Sequence, residues 1–518
     1  MARENIQKLI KRYDKAVEVK ELYRSVHEAA YEYALPTRNI FSNQTQGSSR
    51  MNKIFDSTGI RATFSFVNNM QKSITPPFQK WVNLKLGDGF KKFKGSAEYA
   101  KYAAHLEHAT ERGFSILNTS NFNSITPMFY SDLAVGTGVM LTIPNPITDP
   151  VPMRFVVVPL EEIALEKGVS GSVGAKFRTH KMAVRLLKES WPDAIITVDI
   201  AKMLEEDPSQ EICLIEAFYK RDGINYYDVI EKTKQARLVE RRYNFDPCIV
   251  TRINPSPIDV YGSGPLVQAT PDLRSLNKAK ELTMRSAQLS IFGVYTVADN
   301  DIVNPNNIKL NPGTFIPVSR NSGPNGPSIA PLPTAGNFNA QNFFVQDLQA
   351  SIKEMLLDSN LPPESGPVRS ATEIMERISN IRTTTGVFFG PINQEFVQHL
   401  WTNILHILVD RNEISIPRDL LVVDNFFIEV EVLSAIARSQ DIEEMQGVVE
   451  AWQLYAQMVG PEQAAVVFKM DKIGDYIADK RGVTIDLIRT EDEQIQYKNE
   501  MAIAQQAQQM MLQQQEQA

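Results

Sequence analysis

The chain has 518 residues, 43% hydrophobic and 22% charged, which is enough apolar material for a sizeable core and excludes a mostly disordered polymer. Lys and Arg number 54 against 61 Asp and Glu, a net charge of -7, so there is no global basic footprint of the kind that grips phosphates. That balance disfavours tight nucleic-acid binding over the whole surface and leaves open a protein past which DNA slides.

Length alone leaves both one elongated protein and two or more domains open. The longest apolar runs, Phe155 to Val158 and Ile404 to Val409, fall far short of the roughly 20 residues that span a bilayer. The opening Met-Ala-Arg-Glu-Asn has no apolar stretch behind it like that of a signal peptide, so the expectation is a protein made and used in a cytoplasm, without membrane insertion. Cys213 and Cys248 are the only cysteines; they are too few for a disulfide framework and lack CxxC spacing, and read as reduced core residues.

From Glu4 to Ala34, Ile6, Leu9, Tyr13, Val17, Val26 and Ala30 return at helical spacing, and Pro36 stops the pattern. A polar Gly/Ser loop at Asn43 to Arg50 precedes a helix over Asp56 to Ser73, ended by Thr75-Pro76-Pro77. Trp81 to Leu86 alternates like a strand, and Ser96 to Asn118 reads as a charged helix. Short β-branched or aromatic segments at Val139 to Ile143, Met153 to Val158, Thr197 to Ile200, Ile212 to Tyr219, Ile224 to Ile230 and Leu238 to Tyr243 predict strands, making this region α+β. Between helix and strand, Gly136-Thr137-Gly138 in SDLAVGTGVMLT reads as a tight turn; a phosphate loop needs a longer glycine pattern after a strand.

Past Tyr261-Gly262-Ser263-Gly264-Pro265, the stretch Pro271 to Ser290 carries Leu273, Leu276, Ala279, Leu282, Ala287 and Leu289 on a helical pattern. Its surface is locally basic through Arg274, Lys278, Lys280 and Arg285 against Asp272 and Glu281. Ile291 to Phe338 then gathers seven prolines and five glycines around strand-like pieces at Gly293 to Val297 and Thr314 to Val318. Helix returns over Ala340 to Asp358 and breaks in the proline loop Ser359 to Pro367. Ser370 with Glu373 forms a capping box ahead of a long helix expected to bend near Gly390-Pro391. Leu421 to Val432 reads as strand. Met445, Val448, Trp452, Tyr455 and Val459 keep a heptad spacing, and Asp471 to Arg481 is a short helix. Thr490 and Glu493 make a second capping box, and Met501 to Ala518 holds eight glutamines with one charge, Glu516, fitting either a polar helix in an assembly or a disordered tail.

Catalytic signatures are missing from the sequence. A motor ATPase needs a G-x-x-x-x-G-K-[ST] loop, and no such string occurs. The six histidines include pairs at His105 and His108 and at His399 and His406, but there is no HExxH and no acidic cluster at ligand spacing, so no metal or other cofactor is expected. No GxSxG elbow is present. Those observations favour a non-enzyme, with a novel nuclease as a minor alternative.

Five stretches carry a resemblance: YEYALPTRNIF (Tyr31 to Phe41), FDSTGIRATFSFVNNMQKSITPP (Phe55 to Pro77), DLAVGTGVML (Asp132 to Leu141), YGSGP (Tyr261 to Pro265) and ATEIMERISN (Ala371 to Asn380). By their joint occurrence and order the chain resembles the portal, or head-to-tail connector, proteins of short-tailed bacteriophages. The order helix, Pro/Gly-rich β excursion, helix, proline loop and capped helix is similar as well. The resemblance implies a predominantly helical α+β protein of portal architecture. It assigns residues 1–264 to a wing, 265–290 to stem helix 1, 291–339 to a clip and 340–358 to stem helix 2. It further assigns 359–370 to a tunnel loop, 371–433 to a wing helix and strand, and 434–518 to a helical crown with a Gln-rich tail.

The implied function is a twelve-subunit ring at one capsid vertex, assembled in the host cytoplasm and carried in the virion. Double-stranded DNA passes through it during packaging and ejection. Its partners would be the terminase motor, a tail adaptor, and the major capsid, scaffold or internal core proteins. Ala279, Ser286, Ala287 and Ser290 are small enough for stem helices to pack around an axis, and a heterologous contact repeated by rotation closes a ring. The sites expected are a tunnel loop touching DNA through Asn360, Leu361, Pro362, Pro363, Glu364 and Arg369, the basic stem face Arg274, Lys278, Lys280 and Arg285, and clip docking residues Arg320, Asn321 and Asn325. In the tunnel loop Arg369 would contact phosphate, against the competing reading of a solvated charge. A non-catalytic tail or adaptor ring is the alternative function, and a DNA-packaging enzyme a more distant one.

Overall fold

The long opening helix α1, Ile6–Ala34, starts where the Asn5 side chain accepts the Gln7 N–H at 3.0 Å and stops just ahead of Pro36. It belongs to a computed structural model that describes residues 4–38, 41, 51–87, 89–90, 97–292, 295–298, 315–318, 329–331, 338–358, 390–416, 428–432, 447–458, 460, 467 and 473–474. Two compact units divide the chain, Met1–Glu431 and Val432–Ala518.

In the first unit α2 (Thr58–Ile74), strand β1 (Val82–Leu86), α3 (Ala97–Thr119) and α4 (Phe122–Val135) follow α1. Strands β2 (Thr137–Pro144) and β3 (Met153–Val157) pair antiparallel, as do β2 and β9 (Cys248–Arg252), giving a three-stranded sheet of order β3-β2-β9. A second, five-stranded antiparallel sheet runs β4 (Ile163–Lys167), β5 (Val173–Ala183), β6 (Glu211–Arg221), β7 (Ile224–Glu231) and β8 (Ala236–Tyr243) in sequence order. Between β5 and β6 lie short helices α5 (Leu187–Ser190) and α6 (Val198–Glu206). Helix α1 covers one face of the larger sheet: Leu9, Tyr13 and Ala16 bury against Phe177, Ile215, Tyr219 and Tyr226. Leu9, Phe177 and Ile215 each contribute about 1.5–3 kcal/mol on leaving water. The guanidinium of Arg12 pairs with Glu166 at the end of β4, fixing the helix along the strand.

Beyond the sheets come α7 (Pro265–Phe292) and α8 (Phe338–Met355), separated by strands β10 (Tyr295–Ala298), β11 (Phe315–Val318) and β12 (Ile329–Pro331), which form a small sheet of order β11-β10-β12. Residues 390–392 are helical, Asn393–Val397 is a π-turn, and α9 is Gln398–Asp410. β13 (Ile428–Val432) pairs with β1. In the second unit, residues 447–458 are helical. Among the described residues no helix is long and apolar enough to cross a membrane.

One expectation fails. Thr197 to Ile200 is not a strand: the Thr197 hydroxyl accepts the Ile200 N–H and caps α6, so a β-branched run serves as a helix start. Strands β4, β5, β9 and β12 and most of α4 were not legible either. Residues 390–392 are helical and widen to a π-turn in which the Gln398 N–H donates to Asn393 O; the residues just before Gly390, with which the expected bend would be judged, lie outside the described residues. Cys213 is half-buried and Cys248 buried, both as free thiols, and burial pushes the Cys248 thiol up to about 12. The capping boxes at Ser370 and Thr490, the loop Asn43 to Arg50 and the Gln-rich tail lie outside the described residues.

Candidate functional site

Four of the five quoted stretches meet where α7 leaves the body of the protein. The first contact is made of backbone and one hydroxyl. Gly136 ends α4 at φ 141°, a conformation that disfavours any side chain, and β2 begins at the next residue, so the Gly-Thr-Gly string is the tight turn read from the sequence. The Tyr261-Gly262-Ser263-Gly264 segment lies against it. Gly264 N–H donates to Val135 O at 3.0 Å, Gly262 N–H to Thr137 Oγ1 at 2.9 Å, and Ile253 N–H to Gly136 O at 2.8 Å. A Cβ on Gly262 would fall 2.2 Å from Gly136 O, and one on Gly264 2.2 Å from Ala134 O, so the two strings approach closer than any side chain permits. Pro265 then occupies the first position of α7, where its missing N–H costs nothing.

Side chains tie the other stretches to this joint. Buried Asp132 accepts from Tyr31 Oη at 2.6 Å and from the Arg38 guanidinium, linking the DLAVGTGVML and YEYALPTRNIF strings. Burial outweighs these partners and pushes the Asp132 carboxyl above the usual carboxylate range. His27 packs against Tyr23 and Tyr261, at centroid distances of 6.0 and 5.6 Å, and burial holds its imidazole down to about 4. On α2, Gly59 leaves room for Leu273 of α7, whose Cδ2 would lie 2.5 Å from an added Cβ. Asn277 accepts the Phe55 N–H at 2.7 Å and donates to Lys53 O at 2.8 Å. From α8, Gln349 donates to Asp56 at 2.9 Å and Ser351 to Asp272 of α7 at 2.8 Å.

A second clamp involves the π-turn. Glu395 accepts from the Arg252 backbone N–H at 2.7 Å and from its guanidinium at 2.6 and 3.2 Å, while the same guanidinium donates to Gly171 O at 2.9 Å. Phe396 stacks on Phe129 with centroids 4.5 Å apart. The helix that follows residues 359–389 in the chain is thereby fixed to the strand that leads into the joint. Nothing in the sequence flagged Arg252 or Glu395, which lie 143 positions apart.

Burial changes along α7 and α8. Near the joint Leu266, Ala269, Leu273 and Leu276 of α7 and Ile352 and Leu356 of α8 are buried. Farther out Leu282, Met284 and Ile291 of α7 and Phe343 and Phe344 of α8 are exposed, Ile291 and Phe343 by 77% and 75%. The basic residues expected here divide. At about 100° per residue Arg274, Lys278 and Arg285 share one stripe of α7, and Lys280 lies on the far side. Glu281 sits in that stripe and pairs with Lys278 at 2.9 Å and with Arg285 at 2.5 Å. Arg274 is exposed. Asn360, Leu361, Pro362, Pro363, Glu364 and Arg369 lie outside the described residues, as do Arg320, Asn321 and Asn325. Among the described residues no group of three His, Cys, Asp or Glu is placed to hold a metal ion.

Comparisons with known proteins add the following. The portal protein of Enterobacteria phage T3 is 20% identical over 495 residues, covering 93% of this chain and 88% of that protein. Two solved assemblies contain similar chains. The virion of a native gene transfer agent particle matches at 12% identity and a TM-score of 0.30, over 80% of this chain and 91% of that one. The neck of an empty gene transfer agent particle matches at 11% and 0.31, over 78% and 90%. A sequence model described as bacteriophage head to tail connecting protein matches residues 6–488. That match takes in α1, the glycine joint, α7, α8 and the π-turn, and by it the chain belongs to the bacteriophage head to tail connecting protein family.

Proposed function

We propose that the protein is the portal of a bacteriophage: a closed ring of identical subunits at one capsid vertex whose channel passes double-stranded DNA in packaging and ejection. The ring would also dock the packaging motor and then the tail adaptor, and take its place among the capsid, scaffold or internal core proteins. The observation that carries this reading is the change of burial along α7 and α8. A pair of helices anchored at one end and apolar but uncovered at the other needs neighbours, and identical neighbours related by rotation supply them. The family's twelve-fold ring is the expected count.

In this reading α7 and α8 are the stem, residues 291–339 the clip that meets motor and adaptor, and residues 359–370 the tunnel loop. Glu281 between Lys278 and Arg285 tempers the positive stripe, which suits sliding DNA better than gripping it. Arg369 in the loop would add a weak, salt-sensitive phosphate contact. No step of this function calls for catalysis or a cofactor.

Electron microscopy of the purified protein tests the proposal. Rings with a narrow channel and a flared rim are expected; a tube or a globular particle favours a tail or adaptor protein, and hydrolysis of ATP or DNA by the protein alone favours an enzyme. Replacing Asn321 to Pro327 by a short Gly/Ser linker is expected to leave rings and abolish packaging or tail attachment. Shortening Asn360 to Gly366 is expected to leave rings and impair DNA retention; normal particles from either variant remove that segment from the mechanism.

A further inference from the structure

The face of the five-stranded sheet opposite α1 turns toward β2 and β3 and forms with them a half-open pocket of about 250 Å3. Its aromatic lining consists of Trp191, Phe218, Tyr227 and Tyr243. These rings are held in place: Trp191 Nε1 donates to Tyr227 Oη at 2.9 Å, Tyr227 donates to Glu216 Oε2 at 2.7 Å, and Phe218 and Tyr227 lie 4.9 Å apart between centroids. The charges at the cavity are mostly engaged. Arg178 donates to Glu216 at 3.0 Å and to Glu162 at 2.8 Å, and Arg241 makes a two-pronged pair with Asp193.

Two lining groups stand apart. Arg154, exposed on β3, has no ion pair or hydrogen bond among the described residues. His180 has a side chain only 10% exposed, and its Nδ1 is buried with no hydrogen-bond partner among them. That nitrogen lies 3.4 Å from Glu216 Oε1, a distance that counts as an ion pair only for a protonated ring. Burial lowers the His180 pKa below its ordinary value, so at neutral pH the ring is neutral and the description as an unpartnered nitrogen holds.

We propose that this cavity binds an aromatic carboxylate, its ring among Phe218, Tyr227 and Tyr243, its carboxylate on Arg154, and His180 supplying a second polar contact. The volume admits one ring with a short acidic arm, and flat rings pack favourably against rings. The charge preference follows from the lining: its one acid, Glu216, is held by Arg178 and Tyr227, so a cationic amine finds no open carboxylate, whereas an anion finds Arg154. The ligand could be the free acid or the carboxyl end of a partner protein whose last residue is aromatic.

Calorimetric titration of the purified full-length protein with phenylacetate, benzylamine and the free-acid tetrapeptide Gly-Gly-Gly-Phe decides the matter, with tryptophan fluorescence following Trp191. Phenylacetate is expected to bind and benzylamine not. R154Q should weaken phenylacetate about tenfold while leaving the melting temperature unchanged, since Arg154 is exposed. R154E should turn the preference toward benzylamine. Tighter binding of the tetrapeptide than of phenylacetate identifies a protein chain end as the natural occupant, and the reverse a small molecule. No binding of either acid, or binding indifferent to R154Q, means that the cavity is a water-filled gap between two sheets and overturns the proposal.

Discussion

Between Leu266 and Leu276 helix α7 is held by the body of its own subunit, through Gly59, Asn277 and buried leucines, whereas Leu282, Met284 and Ile291 farther along it are exposed. Helix α8 repeats the contrast, with Ile352 and Leu356 buried and Phe343 and Phe344 exposed. On the proposed function one helix pair serves two purposes: its inner half would belong to folding of the chain and its outer half to assembly. Substitutions in the two halves should fail at different stages, and that difference can be measured.

The greatest loss is expected at the glycine joint. Gly262→Ala and Gly264→Ala each place a methyl against a backbone oxygen that cannot move aside, at a cost of about 4 kcal/mol or more, so denaturant melts shift strongly and no rings form. Near-normal melts of both would dissolve the distinction between the two halves. Next comes the Arg252 clamp. Glu395→Ala leaves a guanidinium only 6% exposed without its carboxylate, a loss of about 3 kcal/mol, and Arg252→Ala in the same background should add little, as a double-mutant cycle would show.

Acidification acts on the inner half through His27. Desolvation, with a smaller push from Lys20, lowers its pKa from 6.5 to about 4, so as pH falls the unfolded chain takes up this proton first. Stability present above pH 6.5 is therefore lost between pH 6.5 and about 4, by up to ~3 kcal/mol from this group. His27→Phe should flatten that part of the stability curve; an unchanged slope would mean the ring is not excluded from water. The smallest effect on the subunit belongs to the outer half. Phe343→Ser should leave the melt of dilute, unassembled protein within about 0.5 kcal/mol of the parent and yet reduce ring yield in sedimentation.

Helices with one apolar face were legible in the sequence because their periodicity survives: α1, α2, α3, α7 and α8 all lie close to the predicted spans. Strand β5 escaped although Ala175 and Phe177 alternate with Lys176, Arg178 and His180, because Phe177 is the one large apolar side chain on the face toward α1 and the run is otherwise small or charged. The run Thr197 to Ile200 misled in the other direction: its β-branched residues look strand-like, but the Thr197 hydroxyl caps the first turn of a helix. Of the site, the Gly-Thr-Gly turn and the start of a helix after the Tyr-Gly-Ser-Gly-Pro string could be read, but not that the two strings touch. Contacts made by backbone atoms leave no signature in side-chain type beyond the glycines themselves. The Arg252 and Glu395 pair was hidden because it depends on a π-turn, a local change of helical register that no spacing rule announces.

The glycine joint has one more consequence. Since its contacts use amide and carbonyl groups that every polypeptide carries, with the Thr137 hydroxyl added, the match between residues 134–138 and 261–264 rests on the two glycine strings and that one side chain. Related chains that keep both glycine strings should therefore be interchangeable on either side of this seam. A crossover within it, joining the sheet-bearing portion of one phage protein to the two-helix arm of another, would then need only the side-chain contacts of the arm to match, Leu273 on Gly59, Asn277 on residues 53–55 and Gln349 on Asp56, which makes the joint a natural breakpoint for recombination among such genes.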